Sequence, residues 1–328
     1  MRALIVGTGV GIRTHLPALS TALGPHNVGI VSRHPQRVGS LVDMTLGYVG
    51  SCLREAVEDW QPDLIAIGVP TSYHATISEE LTDYSSVVLM EKPVGTNLDE
   101  CRRVSSALRR AKTFVNFQLR GLTPVRRIRD AIRRGALGEL LLVRIDERSS
   151  AFLKSPEGWH FRPGQGGGQR LSMLSHLIDL ANFLLQQAPL PGATPRVHLL
   201  PDPQRDPEHS VACGFQVGSA VVELTSSASA VAVRSVAIEV VGSAGRAQLE
   251  FVNGHGDGVL LDGSTRQGLW RHVGTETSLF RLAFPHYLDG ILDHMSSDEK
   301  PSCTSKGTGV AFLANLDDAM LVHRILSP

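Results

Sequence analysis

Leu4-Ile5-Val6-Gly7-Thr8-Gly9-Val10-Gly11-Ile12 joins a short apolar run to a glycine-rich turn. A buried strand that breaks at glycine and opens a helix is the first step of an alternating α/β domain. The first glycine permits the tight turn. The second removes a side chain where backbone must approach a pyrophosphate, and the helix N-terminus adds N–H donors and positive dipole. The usual G-x-G-x-x-G would put its third glycine at position 12, which is Ile; Gly11 stands one place early. A plain strand–helix turn is the competing reading. The position of the turn at the head of an alternating domain favours a dinucleotide held by Gly7, Thr8, Gly9, Val10, Gly11 and Ile12.

Outward from this turn, apolar runs repeat at Val28–Val31, Leu64–Ile67, Val87–Met90 and Thr113–Phe117, with a helix through Leu16-Pro17-Ala18-Leu19. Continuous apolar runs separated by helical patterns predict a parallel sheet covered on both faces. Residue 124 begins a different pattern. A helix over Pro124–Arg134 ends at Gly135, and strands follow at Leu140–Ile145, His198–Leu200, Ala212–Val217, Ala220–Leu224, Val236–Val241 and Ala247–Phe251. Gly218-Ser219 is a hairpin turn between two of them. One helix, about Leu171–Leu185, interrupts the set, Pro189–Pro207 reads as a loop or domain edge, and two helices near Phe280–Met295 and Gly307–Leu326 return toward the first domain. The expected fold is α/β: an N-terminal Rossmann doubly wound parallel sheet over residues 1–120, then a C-terminal α/β domain with a mostly antiparallel open sheet over residues 121–328.

Bulk properties narrow the classes. At 328 residues the chain suits two domains. Lys+Arg and Asp+Glu are equal at 32 each, which argues against a general nucleic-acid or membrane-surface binder. No apolar stretch is long enough to span a bilayer, and Val211–Val233, the nearest, carries Glu223 and many Ser and Gly residues. Cys52, Cys101, Cys213 and Cys303 are scattered without a CxxC pair, which suits reduced thiols in a cytoplasmic protein and gives no metal site.

Glu91-Lys92-Pro93 follows the run Val87–Met90 and so places an ammonium group at the carboxyl edge of the sheet, where open α/β sheets bind ligands. The end of the second strand reads Ser32-Arg33-His34, without the acid that NAD-preferring folds place there. A hydroxyl plus a guanidinium suits a 2′-phosphate, so NADP(H) is expected over NAD(H).

These pieces form a familiar set. Gly7-Thr8-Gly9, His15-Leu16-Pro17-Ala18-Leu19, Pro70 with His74, Glu91-Lys92-Pro93, Pro124 through Gly135-Ala136-Leu137-Gly138, Gly166-Gly167-Gly168 and His176-Leu177-Ile178-Asp179 together resemble the Gfo/Idh/MocA family of NAD(P)-dependent oxidoreductases. The C-terminal helices, from Tyr287-Leu288-Asp289 through Ala319, are similar too, so the resemblance covers nearly the whole chain. It implies a Rossmann domain and a second domain whose open sheet covers the active site and often mediates oligomerisation, here as a homodimer or homotetramer. It implies hydride transfer between the nicotinamide and a carbon bearing a hydroxyl, keto or imine group. A cis Lys92–Pro93 bond is also implied.

The catalytic residues expected on this basis are Lys92, which polarises the carbonyl, His176, which donates the proton, and Ser172. The family places an Asp four residues before this His and a Gly two before it; here they are Ser172 and Leu174. Pro70, Thr71, His74, Glu91, Lys92 and Asn116 are expected at the cofactor with Ser32 and Arg33, and Tyr73 beside the nicotinamide. His15 is expected to pack beside the pyrophosphate turn. Lys92, Gln118, Trp159, Arg162, Arg170 and Asp179 are the substrate candidates, with Asp179 equally suited to a structural role. Gln169 and Arg170 stand out after the glycine run, where relatives often have small or apolar residues, and Arg162 or Arg170 suits an anionic or nucleotide-linked sugar.

The expected function is an NADP(H)-dependent oxidoreductase acting on a keto or hydroxyl carbon of a sugar, sugar nucleotide or polyol-like metabolite, in the reducing direction. Two alternatives stay open: a ketone or imine reductase of a specialised biosynthetic pathway, and a non-catalytic dinucleotide-binding regulator, which Ser172 in place of an acid keeps in view.

Overall fold

Six strands build the first sheet: β1 (Ala3–Val6), β2 (Val28–Val31), β3 (Tyr48–Gly50), β4 (Leu64–Ile67), β5 (Val87–Met90) and β6 (Lys112–Val115). The computed structural model describes all residues except 155–157, 159–160, 187–195, 202–207, 231–232, 264, 298–311 and 327–328. The strands are parallel in the order β3-β2-β1-β4-β5-β6. Every residue of β1, β2 and β4 is buried, the signature of a sheet covered on both faces. Strand order reverses at β1, whose neighbours are β2 and β4, so the carboxyl ends of these strands flank the switch point. The strand β3 has no counterpart in the sequence reading. Tyr48-Val49-Gly50 is a half-exposed edge strand of three residues and carries no apolar run.

The chain forms two compact units. One is Met1–Asn116 with Leu288–Met320; the other is Phe117–Tyr287 with Leu321–Pro328. In the first, Val115 N donates to Ala314 O at 2.9 Å, which ties the end of β6 to the C-terminal segment.

The second sheet has eight strands: β7 (Leu140–Arg148), β8 (Arg196–Pro201), β9 (Glu208–Val217), β10 (Ala220–Ser227), β11 (Ser235–Gly242), β12 (Gly245–Val252), β13 (His255–Asp262) and β14 (Thr265–Val273). Their order is β14-β13-β12-β11-β7-β10-β9-β8. All pairs are antiparallel except β7 with β10. Alternation sorts the two faces. Val143, Ile145 and Glu147 of β7 and Val222, Leu224 and Ser226 of β10 are buried; Arg144 and Glu223 lie on the open face, paired at 2.8 Å. The helix Ser175–Leu185, buried at every residue, packs on β7 and β10.

The strands β13 and β14 also escape the sequence reading, because Gly256-Asp257-Gly258 and Arg266-Gln267-Gly268 show no apolar alternation. The closing helices span Leu279–Ser296 and Leu316–Leu326; the expected start of the latter, near Gly307, lies outside the described residues. No helix among the described residues is long and apolar enough to cross a membrane.

Candidate active site

In the first unit, Gly7 leaves β1 with a φ of +105°, and a Cβ there would come 2.8 Å from Gly68 O at the end of β4. Only glycine meets both demands at low cost. A Cβ on Gly9 would meet nothing within 4 Å, so the backbone at this turn is open to an approaching group. A Cβ on Gly11 would lie 2.7 Å from Ile5 Cγ2. Gly11 therefore supplies the close helix–strand packing that the third glycine usually supplies. A wide π turn over Gly11–His15 opens the helix Leu16–Leu23, and Ile12 is half-buried within it.

At the end of β2, Ser32 is buried and its Oγ accepts from His34 N at 3.1 Å. Arg33 is exposed and its guanidinium lies 5.5 Å from the centre of the Tyr73 ring. The structure thus sets Tyr73 beside Arg33. Pro70 and buried Thr71 start the short helix Thr71–Tyr73. His74 is fully enclosed: Nε2 lies 3.0 Å from Val69 O and Nδ1 3.2 Å from Val94 O. Burial pulls its pKa down. The imidazole braces the loops after β4 and β5.

Glu91 links two motifs that are distant in sequence. Its Oε1 receives Asn116 Nδ2 at 2.6 Å and faces His15 Nε2 at 2.8 Å. Burial pushes the Glu91 carboxyl up, but hydrogen bonds and charge from His15, then Asn116 and Lys92, more than offset it and hold it below the ordinary range. The π turn that follows the glycine turn, β5 and β6 are thereby locked together at their carboxyl ends. Lys92 follows directly, half-buried, and the Lys92–Pro93 bond is cis.

In the second unit, the short helix Gln118–Gly121 and the helix Ser175–Leu185 are joined by a buried ion pair. Arg120 Nε donates to Asp179 Oδ2 at 2.8 Å and Nη2 to Oδ1 at 2.5 Å. Both oxygens of Asp179 accept from Arg120. Phe183 packs under Arg120 and Arg129, 5.1 and 4.1 Å from the ring centre. Buried Gln118 has no hydrogen-bond partner for Oε1 among the described residues.

His176 is buried between Phe280 and Phe117, with ring centres 4.8 and 5.8 Å away. A π turn over Arg170–Leu174 precedes it, so the four-residue step from Ser172 to His176 is not the regular α-turn that the sequence reading assumes. Ser172 Oγ lies 2.5 Å from Gly168 O and 3.2 Å from Gln169 Oε1. Gln169 Nε2 donates to Ser226 Oγ at 2.9 Å, and Ser226 Oγ donates to Glu147 Oε2 at 2.6 Å. Burial pushes the Glu147 carboxyl up to about 7, against hydrogen bonds from Ser226 and Ser149 and the charge of Arg234. Arg170 is half-buried: its N donates to Glu208 Oε1 at 2.7 Å and its Nη1 reaches Leu326 O at 3.5 Å. Arg162 is exposed, and Trp159 lies outside the described residues. Among the described residues, no group of three or more His, Cys, Asp or Glu side chains is placed to hold a metal ion.

Residues 1–118 match the oxidoreductase family with NAD-binding Rossmann fold, and residues 125–248 match the GFO/IDH/MocA C-terminal domain. The chain belongs to the Gfo/Idh/MocA family. Among curated members, 1,5-anhydro-D-fructose reductase of Ensifer adhaerens is 25% identical over 190 residues, 56% of each chain. The chain spans about half the length of the curated relatives it matches. Among solved structures, an oxidoreductase from Agrobacterium radiobacter in complex with NAD+, L-tartaric acid and magnesium superimposes with a TM-score of 0.78 at 16% identity, over 99% of this chain and 94% of that one. The super-repressor mutant of Gal80p from Saccharomyces cerevisiae superimposes with a TM-score of 0.75 at 16% identity, over the same shares. At these identities the likeness concerns the fold. This Gfo/Idh/MocA fold is thus found in both an oxidoreductase and a repressor.

Arg120, Glu147 and the His15–Glu91 contact are absent from the site as read from sequence. For Glu147 a signal exists: it shares strand parity with Val143 and Ile145, which puts it on the buried face.

Proposed function

We propose that this protein is an NADP(H)-dependent reductase of a keto carbon on a sugar, sugar nucleotide or polyol-like metabolite. The observation that carries this reading is Lys92 at the carboxyl end of β5, with Glu91 beside it fixed by His15 and Asn116. The first unit suits a dinucleotide. Gly9 leaves room for a pyrophosphate, and the buried Asn116 Oδ1, without a hydrogen-bond partner among the described residues, is an acceptor. The bound cofactor supplies the hydride. Lys92 donates to the carbonyl oxygen and stabilises the charge that develops on it. His176 delivers the proton, with Ser172 as a hydrogen-bonding group at the start of its helix. Arg162, exposed, is better suited than Arg170 to an anionic or nucleotide-linked substrate, since Arg170 reaches Leu326 O. A cytoplasmic homodimer or homotetramer, assembled through the open face of the second sheet, completes the reading.

Cofactor choice rests on Arg33, held over Tyr73 at the end of β2 where no carboxylate stands. Arg33→Ala is expected to weaken NADPH binding tenfold to hundredfold, roughly the 1.5–3 kcal/mol of hydrogen bonds to a charged group, and to leave NADH binding unchanged. Fluorescence titration of both nucleotides checks it. Equal losses for the two, or a wild type that prefers NADH, would sink the assignment. Turnover is tested by NADPH oxidation with 1,5-anhydro-D-fructose and a panel of keto-sugars. Tight NADPH binding without turnover on any of them would favour the regulator, a reading that Ser172 in the acid position supports.

A further inference from the structure

In the second unit, one acid reaches the glycine run from a strand and has no part in the hydride-transfer reading above. Glu208, half-buried at the first position of β9, accepts from Arg170 N through Oε1 at 2.7 Å. The same carboxylate lies against Gly168. A Cβ there would come 2.6 Å from Oε1 and 2.8 Å from Oε2, and Gly168 has a φ of +93°. Glycine alone admits both the contact and the backbone angle at low cost. Arg170 N opens the helical run 170–185, and the first amides of a helix have no partner within it. Gln169, at the N-cap position, makes no capping bond with its own side chain; its amide goes to Ser226 Oγ. Glu208 therefore supplies the cap from another element, and its negative charge suits the positive end of the helix dipole.

We propose that Glu208 is a positioning residue that fixes Ser172 relative to His176. The proposal rests on the reading of those two as site residues. The contacts of Glu208 fall on either side of Gln169, so the turn that enters the helix is held at both Gly168 and Arg170. Gly168 O in turn accepts from Ser172 N at 3.0 Å and from Ser172 Oγ at 2.5 Å. The Ser172 hydroxyl thus commits its proton to a carbonyl that Glu208 keeps in place. The hold matters because the run begins with a π turn, a wider and much rarer form than the α turn. Relaxation to an α turn would rotate the residues ahead of it by about 100° around the axis relative to those behind. Ser172 lies inside the π turn and His176 just past it, so their relative placement depends on its width. The Arg120–Asp179 pair grips the same helix beyond His176, so the start that Glu208 holds is the part left to move.

The test follows hydrogen exchange by NMR in the full chain with serine labelled at its amide nitrogen, the Ser172 signal being assigned by its loss in Ser172→Ala. Ser172 is 8% exposed, so its amide exchanges with solvent only when the turn opens. In Glu208→Ala that exchange is expected to be about tenfold faster, the effect of one lost hydrogen bond to a charged group. Glu208→Gln keeps an acceptor at the same reach and should restore part of the protection. Glu208→Asp keeps the charge but stops one methylene short of Arg170 N; it should resemble Glu208→Ala and decides the matter if that variant does not fold. In the chemistry, Glu208→Ala should lower kcat on a keto-sugar about tenfold, leave NADPH affinity unchanged and recover in Glu208→Gln. Wild-type exchange of Ser172 in a folded Glu208→Ala or Glu208→Asp overturns the proposal, and so does an undiminished kcat in either. A wild type that binds NADPH but turns over no keto-sugar would remove the reductase, and the exchange rates alone would then decide whether Glu208 fixes Ser172.

Discussion

Lys92→Ala is expected to lower kcat for keto-sugar reduction by about 10²–10³, the loss typical of one donor to a developing oxyanion, while NADPH affinity changes little. The reason lies in what precedes Lys92. Glu91 is anchored by His15 and Asn116, so the end of β5 is fixed relative to the glycine turn and β6 before any ligand arrives. A donor held in this way adds stabilisation as charge builds on the substrate oxygen and adds less when the carbonyl is neutral. The signature is a fall in kcat and kcat/KM together. Spectrophotometric assay of wild type and variant on the same substrate, beside a nucleotide titration, reads both. Undiminished kcat in Lys92→Ala would remove the lysine from the chemistry; a matching loss of NADPH binding would make it a cofactor ligand instead.

Sequence carried β1, β2, β4 and β5 of the first sheet because these strands are continuous apolar runs. Ala3–Val6 and Leu64–Ile67 are buried at every residue and Val87–Met90 at all but Val87, as a parallel strand covered on both faces requires. The antiparallel sheet was legible only where one face is buried. Ala220–Leu224 and Val236–Val241 alternate cleanly, whereas Thr265–Val273 is an edge strand that is exposed over most of its length and shows no period. The candidate site divides in the same way. Gly7, Gly9 and Lys92 announce themselves because their chemistry depends on backbone or on a position in a motif. Arg120 does not, since the role of a buried charge is set by a partner far along the chain. Asp179 lies on a helix that the sequence shows, but its counter-ion belongs to Gln118-Leu119-Arg120-Gly121, a stretch to which the sequence reading assigns no element. Gln169 stands out in the sequence only as a polar residue after the glycine run, and in the structure it is buried and bonded to Ser226.

The Arg120–Asp179 pair gives the largest expected effect on stability. Asp179→Ala leaves a guanidinium 4% exposed without its bidentate carboxylate, and Arg120→Met leaves the reverse. Breaking a buried pair by removing one partner costs about 3–5 kcal/mol, because the remaining charge loses the opposite charge that offsets its desolvation. Removing both is expected to cost less than removing either, since the low-dielectric interior that makes the lone charge costly also taxes the intact pair. Arg120→Met with Asp179→Leu keeps the space filled and retains packing on Phe183. Urea unfolding of wild type, both single variants and the double variant closes the cycle. A double variant as unstable as the sum of the singles would show that the two side chains act independently. Under the proposed role of His176 the consequence extends to the chemistry, because Asp179 lies one turn beyond it on the same helix. The ion pair holds the rotation of that helix about its axis, so a folded single variant should lose kcat on the keto-sugar while Lys92 and the dinucleotide turn remain intact.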